Sequence, residues 1–149
     1  MAERRTATLA TMAGNGRPRL VPICFVLSEP AAGEHPERPL LYSPLDEKPK
    51  RGDDPRTLAR VRDIVERPDV TMLFERWSED WSRLAWLRAQ GRATLMEPDA
   101  EPEAHRLAVE ALRTKYPQYR DHRVEASPMI RIEITATRLW SSAEDGSLG

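Results

Sequence analysis

Two runs rich in small, apolar and β-favouring residues, 6–12 and 19–27, are separated only by the stretch Ala-Gly-Asn-Gly-Arg-Pro. A Gly/Asn connection of this length turns the chain back on itself, so the two runs read as the arms of a hairpin. The same economy recurs downstream. "DVTMLFERW" and "RLAWLRAQGRATLME" read as strands joined only by "SEDWS", with Gly91 marking a bulge or a close backbone approach. "LLYS" is a short strand. "MIRIEITATRLW" alternates, placing Ile130, Ile132, Ile134 and Ala136 on one face and Arg131, Glu133, Thr135 and Thr137 on the other.

Two helices interrupt the strands. The first starts at Asp53 or Asp54 as N-cap with Pro55 in the first helical position, buries Leu58, Val61, Ile64 and Val65, and stops at Pro68. The second covers "EPEAHRLAVEALRTKY", turns Leu107, Ala108, Ala111 and Leu112 inward, and ends at Pro117. The order is therefore βββαββαβ: six strands joined mainly by hairpins, which predicts an antiparallel barrel with flanking helices rather than a doubly wound parallel sheet. The proline-rich stretch 29–39 reads as an exposed connection, and residues 141–149 as a disordered tail.

A chain of 149 residues suits one domain. Its 23 basic and 24 acidic residues leave a formal charge of -1, so no global field draws it to nucleic acid or to an anionic membrane. Any anion site must be local. No apolar run has the length of a membrane span, and the first residues lack the apolar core of a signal peptide, so the cytoplasm is the expected compartment. One cysteine, Cys24, cannot form an internal disulfide. The three histidines are too dispersed to suggest a metal site, and none is expected.

Four features bear on chemistry. "GNGRPR" opens like a dinucleotide fingerprint, but Arg19 stands where the third glycine belongs and a strand follows rather than a helix, so it is a hairpin turn. Pro22, inside an apolar run, removes a ladder donor; either it interrupts the sheet and leaves backbone groups free to read a planar heterocycle, or its strand is simply an edge. Lys48, Lys50 and Arg51 sit in a loop stiffened by Pro44 and Pro49 just before a helix start, where an anion such as phosphate is favoured; the competing reading is a solvated loop neutralised by Asp46, Glu47, Asp53 and Asp54. Finally, Trp77, Trp81 and Trp86 fall within ten residues. They form a wall for a flat ligand or an anchor for a dimer, with Asp80 and Ser82 as polar handles, unless Trp77 and Trp86 face the core as cross-strand neighbours, the reading we favour for Trp77. Cys24 reads as a small buried filler.

No nucleophile–base pair and no paired carboxylates can be made out. A planar-ligand wall with an anion loop and no acid/base constellation suits redox chemistry, in which a cofactor carries the reaction and the protein positions it. The succession "ATLAT", "GRPRLVPICFVL", "LLYSPLDEKPKR" and "RVRDIVERPDVTMLFERWSEDWSRLAWLRAQGRA" resembles the pyridoxamine 5'-phosphate oxidase-like split β-barrel proteins, within them the branch of probable coenzyme F420 (deazaflavin)-dependent enzymes. The likeness runs from about residue 6 to residue 95, with the strand order continuing to Trp140. One departure is that only residues 1–5 precede the first strand, where the family commonly has a short helix.

The resemblance implies a homodimer of six-stranded split barrels with a flavin or deazaflavin in a groove at each subunit interface. Carried over by position, Leu20, Val21, Pro22 and Ile23 would meet the ring system through their backbone, and Tyr42 and Ser43 would line the groove. Lys48, Lys50 and Arg51 would hold the phosphate-bearing tail. Trp81, Ser82 and Trp86 would wall the site from the partner subunit. The implied activity is hydride transfer from reduced coenzyme F420 to a conjugated organic acceptor, with FMN as the alternative cofactor and no side chain assigned as acid. A carrier or sensor without turnover is a second reading. A nucleic-acid-binding barrel is a third, which the balanced charge disfavours.

Overall fold

The structure is a computed structural model that describes residues 1, 3–28, 38–45 and 54–145, with Glu144 and Asp145 described by backbone only. The elements are β1 (Ala7–Met12), β2 (Pro18–Ile23), β3 (Val26–Ser28), β4 (Leu40–Pro44), α1 (Ala59–Glu66), β5 (Asp69–Arg76), β6 (Ala85–Met96), α2 (Pro102–Lys115), β7 (Met129–Ser141) and α3 (Ser142–Asp145). All seven strands join one antiparallel sheet in the order β2-β1-β5-β6-β7-β4-β3. This is the split-barrel type of architecture with one strand more than expected. The extra strand arises because residues 19–27 are not continuous: the ladder stops at Ile23 and resumes at Val26.

That break closes the sheet. β2 and β3 lie on opposite edges of the seven strands, yet only Cys24 and Phe25 connect them. Three Cα–Cα steps span at most about 11 Å, so the two edges must curl toward each other. Inside the curl sits the main core, in which Leu9, Phe25, Leu41, Met72 and Ile132 are fully buried. Phe25 meets Phe74 edge-on at 5.0 Å. Val61 and Ile64 of α1 plug one end of this core. A second cluster forms where α2 covers β3 and β4, with Tyr42, Leu112, Tyr116 and Met129 at its centre. Covered on both sides, β4 is buried along its whole length.

The hairpin turn is as expected: Gly16 has φ +79°, a left-handed conformation suited to glycine, and Ala13 N–H donates to Arg17 C=O at 2.9 Å. Helix faces differ from the sequence reading. Asp54 caps not α1 but a single 3₁₀ turn, Pro55–Thr57, and α1 starts at Ala59. Val65 is 71% exposed, and the inward positions of α1 are Val61, Asp63 and Ile64. In α2, Leu107 is largely exposed, whereas His105, Ala108, Val109 and Leu112 form the buried i, i+3, i+4, i+7 stripe. A buried histidine and aspartate were not anticipated because each needs a distant partner. His105 Nε2 lies 2.8 Å from Ser127 O. Asp63 Oδ2 accepts from Thr11 Oγ1 and Arg19 Nε, both at 2.8 Å.

Gly91 does mark a bulge. The β6–β7 register shifts between Gln90 and Gly91, with Thr135 as the extra residue, and a Cβ on Gly91 would lie 2.5 Å from Ile132 Cγ2. The bulge changes which residues share a face. Up to Ile134 the even-numbered residues of β7 face the core, but beyond it Ala136 pairs with the exposed Gln90, so Ala136 lies on the outer face and not with the isoleucines. β7 continues through Ser141 into the short α3, so the expected tail is structured as far as Asp145; residues 146–149 lie outside the described part.

Candidate functional site: the open face of the sheet

Strand pairing places directly opposed residues on the same face. Following the pairs outward from Pro22 gives one row across five strands: Pro22, Thr8, Leu73, Arg88 and Arg138. The row on one side of it is Leu20, Ala10, Thr71, Gln90 and Ala136; on the other lie Glu75, Trp86 and Trp140. All of these residues are exposed or half-buried. α1 packs into the barrel end and α2 against β3 and β4, so neither helix covers this face. Its floor is made of threonine, alanine and leucine. Its rims differ, with an unpaired strand edge on one side and arginine and tryptophan on the other.

The edge is β2. It pairs only with β1, so alternate backbone groups between Pro18 and Ile23 point away from the sheet with no strand partner. Pro22, paired with Thr8, sits on this edge strand, the position in a sheet where proline is tolerated, and the interruption of the sheet falls two residues later. Leu20 is 65% exposed, Val21 half-buried and Ile23 buried.

At the other rim, Trp86 and Trp140 are opposed on β6 and β7 and stack with ring centroids 6.3 Å apart at 17°. Trp86 therefore does not face the core as a neighbour of Trp77: it lies on the outer face, and its cross-strand aromatic partner is Trp140. Trp77 does not face the core either: it is 73% exposed, because β5 has run past the end of the barrel before reaching it. Trp81 opens a 3₁₀ turn, Trp81–Arg83, and is also 71% exposed. Asp80 holds that turn by accepting from Ser82 N–H at 3.1 Å and from Ser82 Oγ at 2.7 Å. Behind Trp86, on the inner side, a small cleft of about 140 Å³ has Phe74, Arg76, Leu87 and Leu139 in its walls.

Within one chain these groups do not meet. Pro22 and Trp86 are separated by β1 and β5, three strand spacings or about 14 Å. Tyr42 and Ser43 are elsewhere again: both are buried, Tyr42 beneath α2 beside a groove of about 440 Å³ and Ser43 on the interior side of β4. Lys48, Lys50 and Arg51 lie outside the described residues.

Sequence reasoning missed the corner that joins β2 to β3. The Tyr116 hydroxyl accepts from Phe25 N–H at 3.0 Å and lies 2.7 Å from Arg5 O and 2.9 Å from Phe25 O. Lys115 Nζ donates to Phe25 O at 3.0 Å and sits 3.7 Å from the centre of the Phe25 ring. Burial, with repulsion from the Arg5 guanidinium behind it, lowers the Lys115 ammonium to about 8. Burial raises the Tyr116 hydroxyl. These side chains replace the ladder bonds that the break removes. Among the described residues, no group of His, Cys, Asp and Glu is placed to hold a metal ion, and no helix is long and apolar enough to cross a membrane.

Comparison with known proteins places this geometry. Several solved structures share the fold. A protein titled "F420 Reductase" is 18% identical, with 92% of each chain covered and a TM-score of 0.60. A FAD-binding protein from Mesorhizobium loti is 15% identical over 93% of this chain and 86% of that one, with a TM-score of 0.65. The heme storage protein HutZ from Vibrio cholerae is 16% identical over 93% and 87%, with a TM-score of 0.63. At these identities the likeness is one of fold. No curated protein sequence matches the chain. The sequence pattern of the pyridoxamine 5'-phosphate oxidase family, however, matches residues 1–141, and the chain belongs to that family.

Proposed function

We propose that this protein is a cytoplasmic, homodimeric oxidoreductase that uses coenzyme F420, or alternatively FMN, to reduce a conjugated organic acceptor. The observation that carries the reading is the open face bounded by the free β2 edge, in a chain of the pyridoxamine 5'-phosphate oxidase family. A bound flavin or deazaflavin would supply the hydride carrier. The chain's own part is to bind and orient: the backbone of Leu20, Val21, Pro22 and Ile23 offers donors and acceptors to the edge of a ring. Lys48, Lys50 and Arg51 supply the cations for its phosphate-bearing tail. Trp81, Ser82 and Trp86 of a second copy shield the site from water. The 14 Å gap between the two rims, about three strand spacings, argues for that second copy, because one chain alone cannot close a pocket from both sides. Exposed Trp77, Trp81, Leu20 and Leu139 give it apolar surface to bury.

The test is titration of the purified protein with coenzyme F420 and with FMN, followed by tryptophan quenching. Binding of either supports the reading, and binding of neither ends it. Neutralising Lys48, Lys50 and Arg51 together should weaken binding while the far-UV circular dichroism stays unchanged. A second reading, binding without turnover, draws support from the likeness to a heme storage protein. It gains if heme binds, or if bound cofactor reduces none of a panel of quinones, enones and tetrapyrroles.

A further inference from the structure

Arg88 and Arg138 are directly opposed on β6 and β7, on the outer face. Both are exposed. Like charges in that relation, with Cα atoms about 5 Å apart, are unfavourable to the sheet unless something neutralises them. Nothing in the described chain does so. Neither guanidinium makes a hydrogen bond or ion pair with a described residue, whereas other arginines of this surface do: Arg38 holds Glu133 at 2.6 Å and Arg131 holds Glu101 at 2.6 Å. The nearest carboxylate on the face is Glu75. It stands across from Trp86, one step diagonal to Arg88 and two strands from Arg138, and bonds to neither.

The next pair along the same face is the stacked Trp86 and Trp140. Two arginines are thus directly opposed on the strands beside a stacked pair of indoles. Guanidinium binds a carboxylate through two parallel N–H···O bonds, and an indole face takes up a flat apolar ring. Beyond Arg88 the row runs on through Leu73 and Thr8 to Pro22, none of them charged.

We propose that Arg88 and Arg138 bind the carboxylate of a planar aromatic acid whose ring rests against Trp86 and Trp140, which makes acidic aromatic or conjugated compounds the acceptor class. The binding site stands on the geometry of these four residues. Its role as an acceptor site rests on the oxidoreductase reading above.

The experiment uses 2-naphthoate as probe and 2-naphthalenemethanol as its neutral counterpart, measured by calorimetry on the full chain with and without FMN or coenzyme F420. The carboxylate should bind about tenfold or more tightly than the alcohol, as one charge-assisted hydrogen bond implies. Arg88→Gln with Arg138→Gln should abolish that preference, and Arg88→Lys with Arg138→Lys should restore part of it. All variants should keep the wild-type circular dichroism, since both side chains are exposed, and wild-type affinity for the cofactor. Equal binding of the two probes, absence of carboxylate binding, or undiminished preference in the double glutamine variant overturns the site. Loss of cofactor affinity in that variant overturns the acceptor assignment, because the pair would then serve the cofactor. Carboxylate binding in a protein that takes up no cofactor would sink the oxidoreductase reading and leave the site standing.

Discussion

Tyr116 carries more of the fold than its place in the sequence suggests. Its hydroxyl reaches 91 residues back to the Phe25 backbone, at the one point where the sheet has no ladder bonds. Tyr116→Phe leaves a buried N–H unpaired and should cost about 1–3 kcal/mol in urea unfolding. Next to it, Lys115 has a pH signature. Its pKa is about 8 in the fold against an ordinary 10.5. Between those values the unfolded chain holds the extra proton, so stability rises with pH through the window from about 8 to 10.5; below 8 the group is charged in both states and its contribution is flat. Chemical unfolding of wild type and Lys115→Met across pH 7 to pH 10 checks this: the rise should be smaller in the variant. Neither residue could have been singled out from the sequence, because a tyrosine and a lysine at the end of an amphipathic helix give no hint of a partner some 90 residues away. The hairpin turn was legible for the opposite reason, since all its determinants are local.

At the scale of elements, strand existence and order were readable because alternation and turn residues are properties of the strand itself. What failed was the assignment of faces. Val65 and Leu107 are apolar and at helical spacing, yet exposed; Asp63 and His105 are polar and buried. The helices are anchored by polar contacts as well as apolar ones. For Asp63, burial raises the pKa, but hydrogen bonds from Arg19 and Thr11 outweigh it and hold the carboxyl below its usual range. Its contribution is therefore present above the ordinary carboxylate pKa and lost as pH falls through the lower folded value. Asp63→Asn should lower stability at pH 7 by about 1–3 kcal/mol and shrink the loss seen on acidification to pH 3, measured by thermal unfolding at both values. Gly91→Ala tests the bulge. The added methyl meets the Glu133 carbonyl oxygen at 2.7 Å as well as Ile132, and the backbone cannot yield without moving β7. A loss of about 1–3 kcal/mol in unfolding free energy is expected.

For the whole molecule, closure depends on Cys24 and Phe25 drawing together the two opposite edges of a seven-stranded sheet. Insertion of two glycines between them would lengthen the link by about 7 Å and should lower the melting temperature, read by differential scanning calorimetry. Sedimentation should show two chains per particle, and Trp81→Ser should weaken that association if exposed tryptophans meet across it. The open face was not visible beforehand because it is a product of register. Arg88 and Arg138 are 50 positions apart, and only the count of residues in β7 brings them together. Thr135 is the surplus member of that count. Take it out, and Ile134 is followed directly by Ala136, so the ladder becomes regular and Arg138 still stands opposite Arg88. Add a residue beyond the bulge instead, and the side chains that follow exchange inside for outside, moving Arg138 and Trp140 off the surface with no amino acid replaced. The distal half of this strand should therefore forgive many point changes and the loss of its surplus residue, but not a single gain beyond the bulge, which would divide working descendants of this chain from silent ones.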